Sequence, residues 1–286
     1  MQNYTLLERF MFSSVTLNPF KMIDELNGKT VLITGASSGI GKELAYLLAD
    51  ADVHLILVAR REEELRLITE EIEKGSAKAT VFPADLRNTQ QMAELLEFLH
   101  RLPEGLDIVV SNAGLSINRP IVHSLDRLHD FTRTMAINYF APVQLLLSVI
   151  PLLAAKKGHI INVSTINALL LPIPYWAAYQ ASKTAFDTWL RSAAPELNSR
   201  GISTTTLYLP LVRTPMIEPT IAYRTAPAMS PVTVAELIGH SMYSKRKTYK
   251  PWWLIFGQLG SVTFRKPLEF IIYHTLKQKE PKKNGV

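Results

Sequence analysis

The sequence predicts an α/β fold: a doubly wound parallel sheet in a single domain, with an apolar and basic extension at the C-terminus. Three observations carry this expectation. Short apolar runs recur along the chain, they alternate with longer segments of helical period, and a glycine-rich turn joins the first run to the first helix.

From Lys29 onward the runs are Thr30–Thr34, His54–Ala59, Ala79–Pro83, Asp107–Ser111, His159–Ser164 and Thr204–Leu209. They are apolar nearly throughout rather than alternating, as strands buried on both faces should be. Between them, Lys42–Ala51, Glu62–Lys74 and Thr89–Leu102 carry polar and apolar residues at helical spacing. Strand–helix alternation repeated this often calls for right-handed crossovers, which place helices on both faces of a parallel sheet. That is the Rossmann-type, dinucleotide-binding architecture. It is expected over residues 29–250, after an N-terminal extension at 1–28. Four prolines between Pro215 and Pro231 are too many for a regular element, so a lid loop is expected at about 210–231. Residues 251–286 make the C-terminal extension.

Composition narrows the function classes. The 286 residues can bury one sizeable core, and 20% charged residues is ordinary for a globular chain. Without cysteine there are no disulfides, thiolate nucleophiles or thiolate metal ligands, and no metal site is expected. The net charge of +6 is concentrated at the end: residues 241–286 hold ten Lys/Arg against two Glu. Such a tail suits an anionic lipid surface or nucleic acid, or is simply a solvated end. It has no nucleic-acid reading motif, and its aromatics cluster with aliphatics, so no nucleic-acid partner is expected. Glu8 and Arg9 interrupt the apolar pieces near the N-terminus, which argues against a secretory signal. No run in the sequence reaches the roughly 18 apolar residues that cross a bilayer. A cytoplasmic location, with peripheral membrane contact as a possibility, is the expectation.

The chemistry is carried by motifs at the ends of the expected strands. Thr34-Gly35-Ala36-Ser37-Ser38-Gly39-Ile40-Gly41 turns directly into a helix. Glycines there let the backbone approach a pyrophosphate, whose charge sits at the helix N-terminus. After the second run comes Ala59-Arg60-Arg61, with no acidic residue before Glu62. An acid here would bind the ribose 2′-hydroxyl of NAD; a guanidinium suits a 2′-phosphate, so NADP(H) is the expected cofactor. Arg60 is the first candidate and Arg61 the second; a solvated arginine pair opening a helix is the alternative. Tyr179 and Lys183 stand four apart, on one face of a helix. A phenol is a poor proton donor near neutrality, and a neighbouring ammonium is expected to lower its pKa.

These motifs resemble the short-chain dehydrogenase/reductase family from about Lys29 to Met216. The resemblance implies that Asp85-Leu86 contacts the adenine and that Asn112-Ala113-Gly114 is the family's Asn-Ala-Gly turn, with Ser111 where a second Asn is commoner. It also implies an active-site role for Asn138, and for Tyr179 and Lys183 as the Tyr-x3-Lys pair, whose lysine also holds the cofactor ribose. Pro210, Val212 and Thr214 are implied cofactor contacts, Thr214 at the nicotinamide carboxamide. The hydroxyl that orients the carbonyl is Thr165 or Ser164: these stand 14 and 15 residues before Tyr179 where the family shows about 13, so one residue is inserted. The family is commonly oligomeric, which implies a homo-oligomer.

Three stretches are similar to the reductase module of bacterial fatty acyl-CoA reductases: Asp126-Arg127-Leu128-His129-Asp130-Phe131, Asn138-Tyr139-Phe140 and Pro210–Pro219. That resemblance implies NADPH reduction of a long-chain acyl-CoA to the aldehyde. Reduction of an aldehyde or ketone to the alcohol uses the same residues, and a non-catalytic NADP(H) sensor is a further alternative. The uncharged segment Ala168–Pro174 fits an aliphatic, lipid-like substrate, or packs the core or a subunit interface. In the tail, Trp252, Trp253 and Phe256 beside Arg265 and Lys266 suit a membrane interface. Closing the substrate tunnel or packing between subunits is the competing use.

Overall fold

The computed structural model describes residues 4–12, 15–218, 220, 223 and 225–279. Seven strands form one sheet: β1 (Lys29–Thr34), β2 (Val53–Ala59), β3 (Lys78–Pro83), β4 (Ile108–Ser111), β5 (His159–Thr165), β6 (Ser203–Leu209) and β7 (Thr248–Tyr249). Their order is β3-β2-β1-β4-β5-β6-β7, and every pairing is parallel. β7 is two residues long and follows a helix rather than an apolar run, which is why no periodicity announces it.

Helices cover both faces. α1 (Leu6–Met11) and α2 (Pro19–Leu26) precede the sheet; α3 (Gly39–Leu47), α4 (Glu62–Ile72) and α9 (Pro231–Ser244) then pack on one face. α5 (Thr89–His100), α7 (Ala141–Lys156) and α8 (Ala177–Ser199) pack on the other, and α6 (Leu128–Met135) leads into α7. The strands supply both cores, since Val31 and Ile33 face one layer while Leu32 faces the other. α10 (Leu254–Thr263) and α11 (Arg265–Lys279) follow the last strand.

A five-residue π turn, Ala136–Phe140, fuses α6 and α7 into one 29-residue helix. By length and composition this helix could cross a bilayer, contrary to the expectation from sequence runs. Leu145, Leu146, Val149 and Leu153 are buried against the sheet, however, so one side of this helix serves the interior, while Phe140 and Leu147 are exposed.

The N-terminal extension is tied to the core by Phe12, Met22 and Leu26, all buried. Glu8 closes a capping box with Thr5 and is almost fully buried. Its carboxylate accepts the Ala228 N–H at 3.1 Å and pairs with Arg213. Burial raises its pKa, but hydrogen bonds from Thr5 and Ala228 and the Arg213 charge outweigh it and hold the group below the usual range. One buried carboxylate thus anchors both ends of the lid loop to α1. Within that loop Pro215–Ile217 form a 3₁₀ turn and Val212 bridges to Met229. Pro219, part of the proline-rich stretch noted above, lies outside the described residues, as does the end of the basic tail.

Candidate active site

Strand order reverses direction between β1 and β4, and a cleft of about 680 Å3 opens there at the C-terminal ends of the strands. Its lower wall is the glycine turn. Gly35 and Gly39 have φ of +69° and +53°, which disfavours any side chain. A Cβ on Gly41 would lie 2.5 Å from the Gly35 carbonyl oxygen, so this glycine lets α3 start against the turn without lining the cleft itself. The Thr34 hydroxyl donates to Val110 O and accepts the N–H groups of Asn112 and Ala113 at 3.0 and 3.1 Å. Asn112 Nδ2 donates to Thr34 O at 3.0 Å, clamping the β1 and β4 turns together.

The first turn of α3 has no side-chain cap, leaving its N–H groups for a ligand. Ser37, Ser38 and Ile40 line the cleft beside it, as do Asp85, Leu86, Ala113 and Gly114. Arg61 donates to the Ser37 carbonyl at 3.0 Å and to the Ser37 hydroxyl at 3.1 Å, fastening itself to the glycine turn. Arg60 also lines the cleft but has no hydrogen-bond partner among the described residues. Pro210, Val212 and Thr214 close the opposite side, with Thr214 against Gly39. This cradle of positive-φ glycines, open helix N–H groups and two arginines fits a phosphorylated dinucleotide.

Tyr179 and Lys183 reach the cleft from α8, one turn apart. Lys183 Nζ is buried and donates to Val163 O at 3.1 Å. Desolvation pushes its pKa down to about 8. Desolvation likewise pushes the Tyr179 phenol up to about 12, only partly offset by the Thr165 hydroxyl. The expectation that the ammonium lowers the phenol's pKa is therefore corrected: the ammonium is spent on a backbone carbonyl, and burial dominates. Tyr179 therefore stays protonated at neutral pH.

Thr165 and Ser164 both end β5 in the cleft. Thr165 interacts with the Tyr179 phenol and accepts Asn167 N–H at 3.3 Å, whereas the buried Ser164 hydroxyl has no partner among the described residues. Asn138 stands behind the cleft rather than in its lining. From the π turn its Nδ2 donates to Leu115 O at 2.8 Å and to the Ser182 hydroxyl at 2.9 Å, and its Oδ1 accepts Leu115 N–H. It fixes the β4 loop to the helix that carries Tyr179.

Three residues absent from the sequence reading shape the other end. Trp176 stacks on Tyr223 with centroids 5.5 Å apart and meets Tyr179 edge-on at 5.8 Å. Gln180 donates to Asn167 O at 2.7 Å and accepts Ile173 N–H at 3.0 Å, spanning the loop that holds the inserted residue. Trp176 and Tyr223 lie far apart in the sequence, and nothing local marked that pair or the glutamine.

A model of the short chain dehydrogenase family matches residues 29–224, the span that builds this cleft. The chain belongs to that family. Among relatives of this short-chain dehydrogenase, a fatty acyl-CoA reductase of Acinetobacter baylyi is 40% identical over 84% of the chain and 81% of its own length. A fatty acyl-CoA reductase of Mycobacterium tuberculosis is 40% identical over 74% and 72%. A metagenomic short-chain oxidoreductase solved in complex with NADP superposes with a TM-score of 0.68 at 26% identity, covering 79% of this chain and 97% of that one.

Proposed function

We propose that this oxidoreductase uses NADPH to reduce a long-chain acyl thioester to the aldehyde. The observation that carries the reading is the division of the cleft. Its charged lining residues, Arg60, Arg61, Asp85, Arg87 and Lys183, belong to the dinucleotide side. Beyond Tyr179 the walls are Ile173, Trp176, Leu211, Met216, Ile217 and Tyr223, which suit an aliphatic chain. The names of the two relatives at 40% identity support the same substrate class.

The glycine turn and the α3 N-terminus would hold the pyrophosphate, Arg60 and Arg61 the 2′-phosphate, and Lys183 the ribose. When bound, NADPH supplies the hydride for the carbonyl carbon. Thr165 donates a hydrogen bond to the carbonyl oxygen, and Tyr179 donates a second, holding its proton where negative charge develops. The adduct then collapses to the aldehyde and expels the thiolate, which takes up a proton from Tyr179 or solvent to leave as the thiol. A phenol held protonated is matched to reduction rather than to abstracting a proton from an alcohol.

The test is NADPH oxidation with palmitoyl-CoA and with hexadecanal, with products identified by mass. Hexadecanal formed from palmitoyl-CoA, with release of free CoA, is expected. Hexadecanol from hexadecanal, with palmitoyl-CoA untouched, would assign the site to simple carbonyl reduction. NADPH binding without turnover of either would point to a sensor.

We further propose that the enzyme meets membranes peripherally. On α10, Ile255, Phe256, Leu259 and Val262 form one exposed stripe. The N-terminal helix α1 extends it, because Trp252 Nε1 donates to Phe10 O at 3.0 Å and the Phe10 and Trp252 rings meet at 4.9 Å. The inner side of α10 touches the pocket-side loop, where Ser261 accepts Leu171 N–H at 3.2 Å. A lipid-facing stripe backed onto the substrate loop suits a substrate drawn from a bilayer.

A further inference from the structure

The Asp126–Phe131 stretch, singled out in the sequence, has no part in the chemistry above. Its Asp130 is 2% exposed and draws in three arginines. Arg119 and Arg127 each donate through Nε to the same oxygen, Oδ2, both at 3.0 Å. Arg133 approaches Oδ1 at 2.7 Å as an ion pair without hydrogen-bond alignment. A single bidentate arginine would neutralise a carboxylate. Here three converge, and the terminal nitrogens of Arg119 and Arg127 have no partner among the described residues. Asp126, exposed beside Arg127, is the other acid of this stretch; His123 and His129 are exposed alongside. Three guanidinium groups against two carboxylates leave a cationic surface whose donors are fixed in place by a buried anion.

This surface adjoins the pocket. The Arg119 N–H donates to Tyr175 O at 2.8 Å, and Tyr175 is held at φ +71° immediately before Trp176. Ser116, which lines the cleft, is three residues from Arg119, so the two backbones are at most about 11 Å apart. That is within the length of an extended phosphopantetheine arm.

We propose that Arg119, Arg127 and Arg133 form the docking site for the phosphates of coenzyme A, holding the nucleotide outside while the thioester lies at Tyr179. The planar forks of arginine suit phosphate oxygens, and a free fatty aldehyde has nothing to offer them. The proposal rests on the thioester reading of the site, and it can fail separately from it.

The experiment uses enzyme saturated with NADPH, which excludes CoA from the dinucleotide site. Binding of desulfo-CoA by calorimetry is compared for wild type, the Arg127→Gln/Arg133→Gln double variant and Arg133→Lys. KM is measured for palmitoyl-CoA and for the phosphate-free thioester S-palmitoyl-N-acetylcysteamine. Arg119 is retained, so Asp130 keeps a partner. The double variant is expected to weaken desulfo-CoA binding and raise the palmitoyl-CoA KM about tenfold, as loss of two partly exposed ionic contacts should. The KM for the phosphate-free thioester should move less than twofold, and Arg133→Lys should recover part of the loss. Equal changes for both thioesters, or wild-type enzyme that does not bind desulfo-CoA, would overturn the proposal. Palmitoyl-CoA reduced with unchanged KM in the double variant would overturn it while leaving the thioester reading intact. Binding of desulfo-CoA lost in the double variant, with no thioester reduced by wild type, would uphold the arginine site and remove the reaction.

Discussion

At the scale of single residues, the site is governed by what burial does to two neighbours on one helix. Lys183 keeps its charge below about 8 and loses it above, while Tyr179, near 12, stays protonated across that range. Reductive kcat/KM is therefore expected to hold through neutral pH and fall as pH rises through about 8. A profile flat from pH 7 to 10 would remove Lys183 from the reaction. The sequence placed these two side chains on one face but not their surroundings: desolvation depends on Val163 and the rest of the cleft, which arrive from distant segments. Cofactor choice is likewise a residue-scale question. Arg61 is engaged by Ser37, whereas Arg60 has no hydrogen-bond partner among the described residues. Arg60→Ala should weaken NADPH binding about tenfold, less than a buried contact would because the group is exposed, and should leave NADH nearly unchanged. Equal losses for both would make Arg60 structural and move the phosphate to Arg61.

At the scale of elements, the six main strands were legible because each is an apolar run bounded by polar segments. Their observed limits differ from the sequence limits by one residue at one end of each strand. The short β7 and the docking of α1 were not legible, since both depend on contacts more than 200 residues apart or on a sheet edge already formed. That docking changes the reading of the C-terminal extension, because Phe10 and Trp252 build one surface from both ends of the chain. Rings flanked by cations, including Arg265 and Lys266, suit the headgroup boundary, where each basic residue adds about 1 kcal/mol. The enzyme is expected to co-sediment with anionic phosphatidylserine/phosphatidylcholine vesicles at low salt, and Ile255→Gln/Phe256→Gln should reduce the bound fraction severalfold. Protein that stays in the supernatant, or a double variant that changes only the oligomeric state, would assign the stripe to a second copy instead.

At the scale of the whole molecule, one geometry unites the parts. The strand reversal between β1 and β4 creates the cleft, the glycine turn and arginines face one end, and the aromatic pair and lid face the other. Most of the dinucleotide side was readable, because a tight turn constrains residue type locally: Gly39 at φ +53° admits few alternatives. The substrate side was not, because Trp176 and Tyr223 become neighbours only when the lid folds over α8. The central claim is that this cleft reduces a carbonyl with Tyr179 as its acid. It is tested most directly by comparing wild type with Tyr179→Phe in NADPH oxidation with palmitoyl-CoA, alongside NADPH binding measured by fluorescence. The ring and its contact with Trp176 are retained, so binding should persist, while turnover should fall on the order of 10²–10⁴-fold for loss of a positioned acid. Turnover within a few-fold of wild type, with NADPH bound normally, would contradict the account.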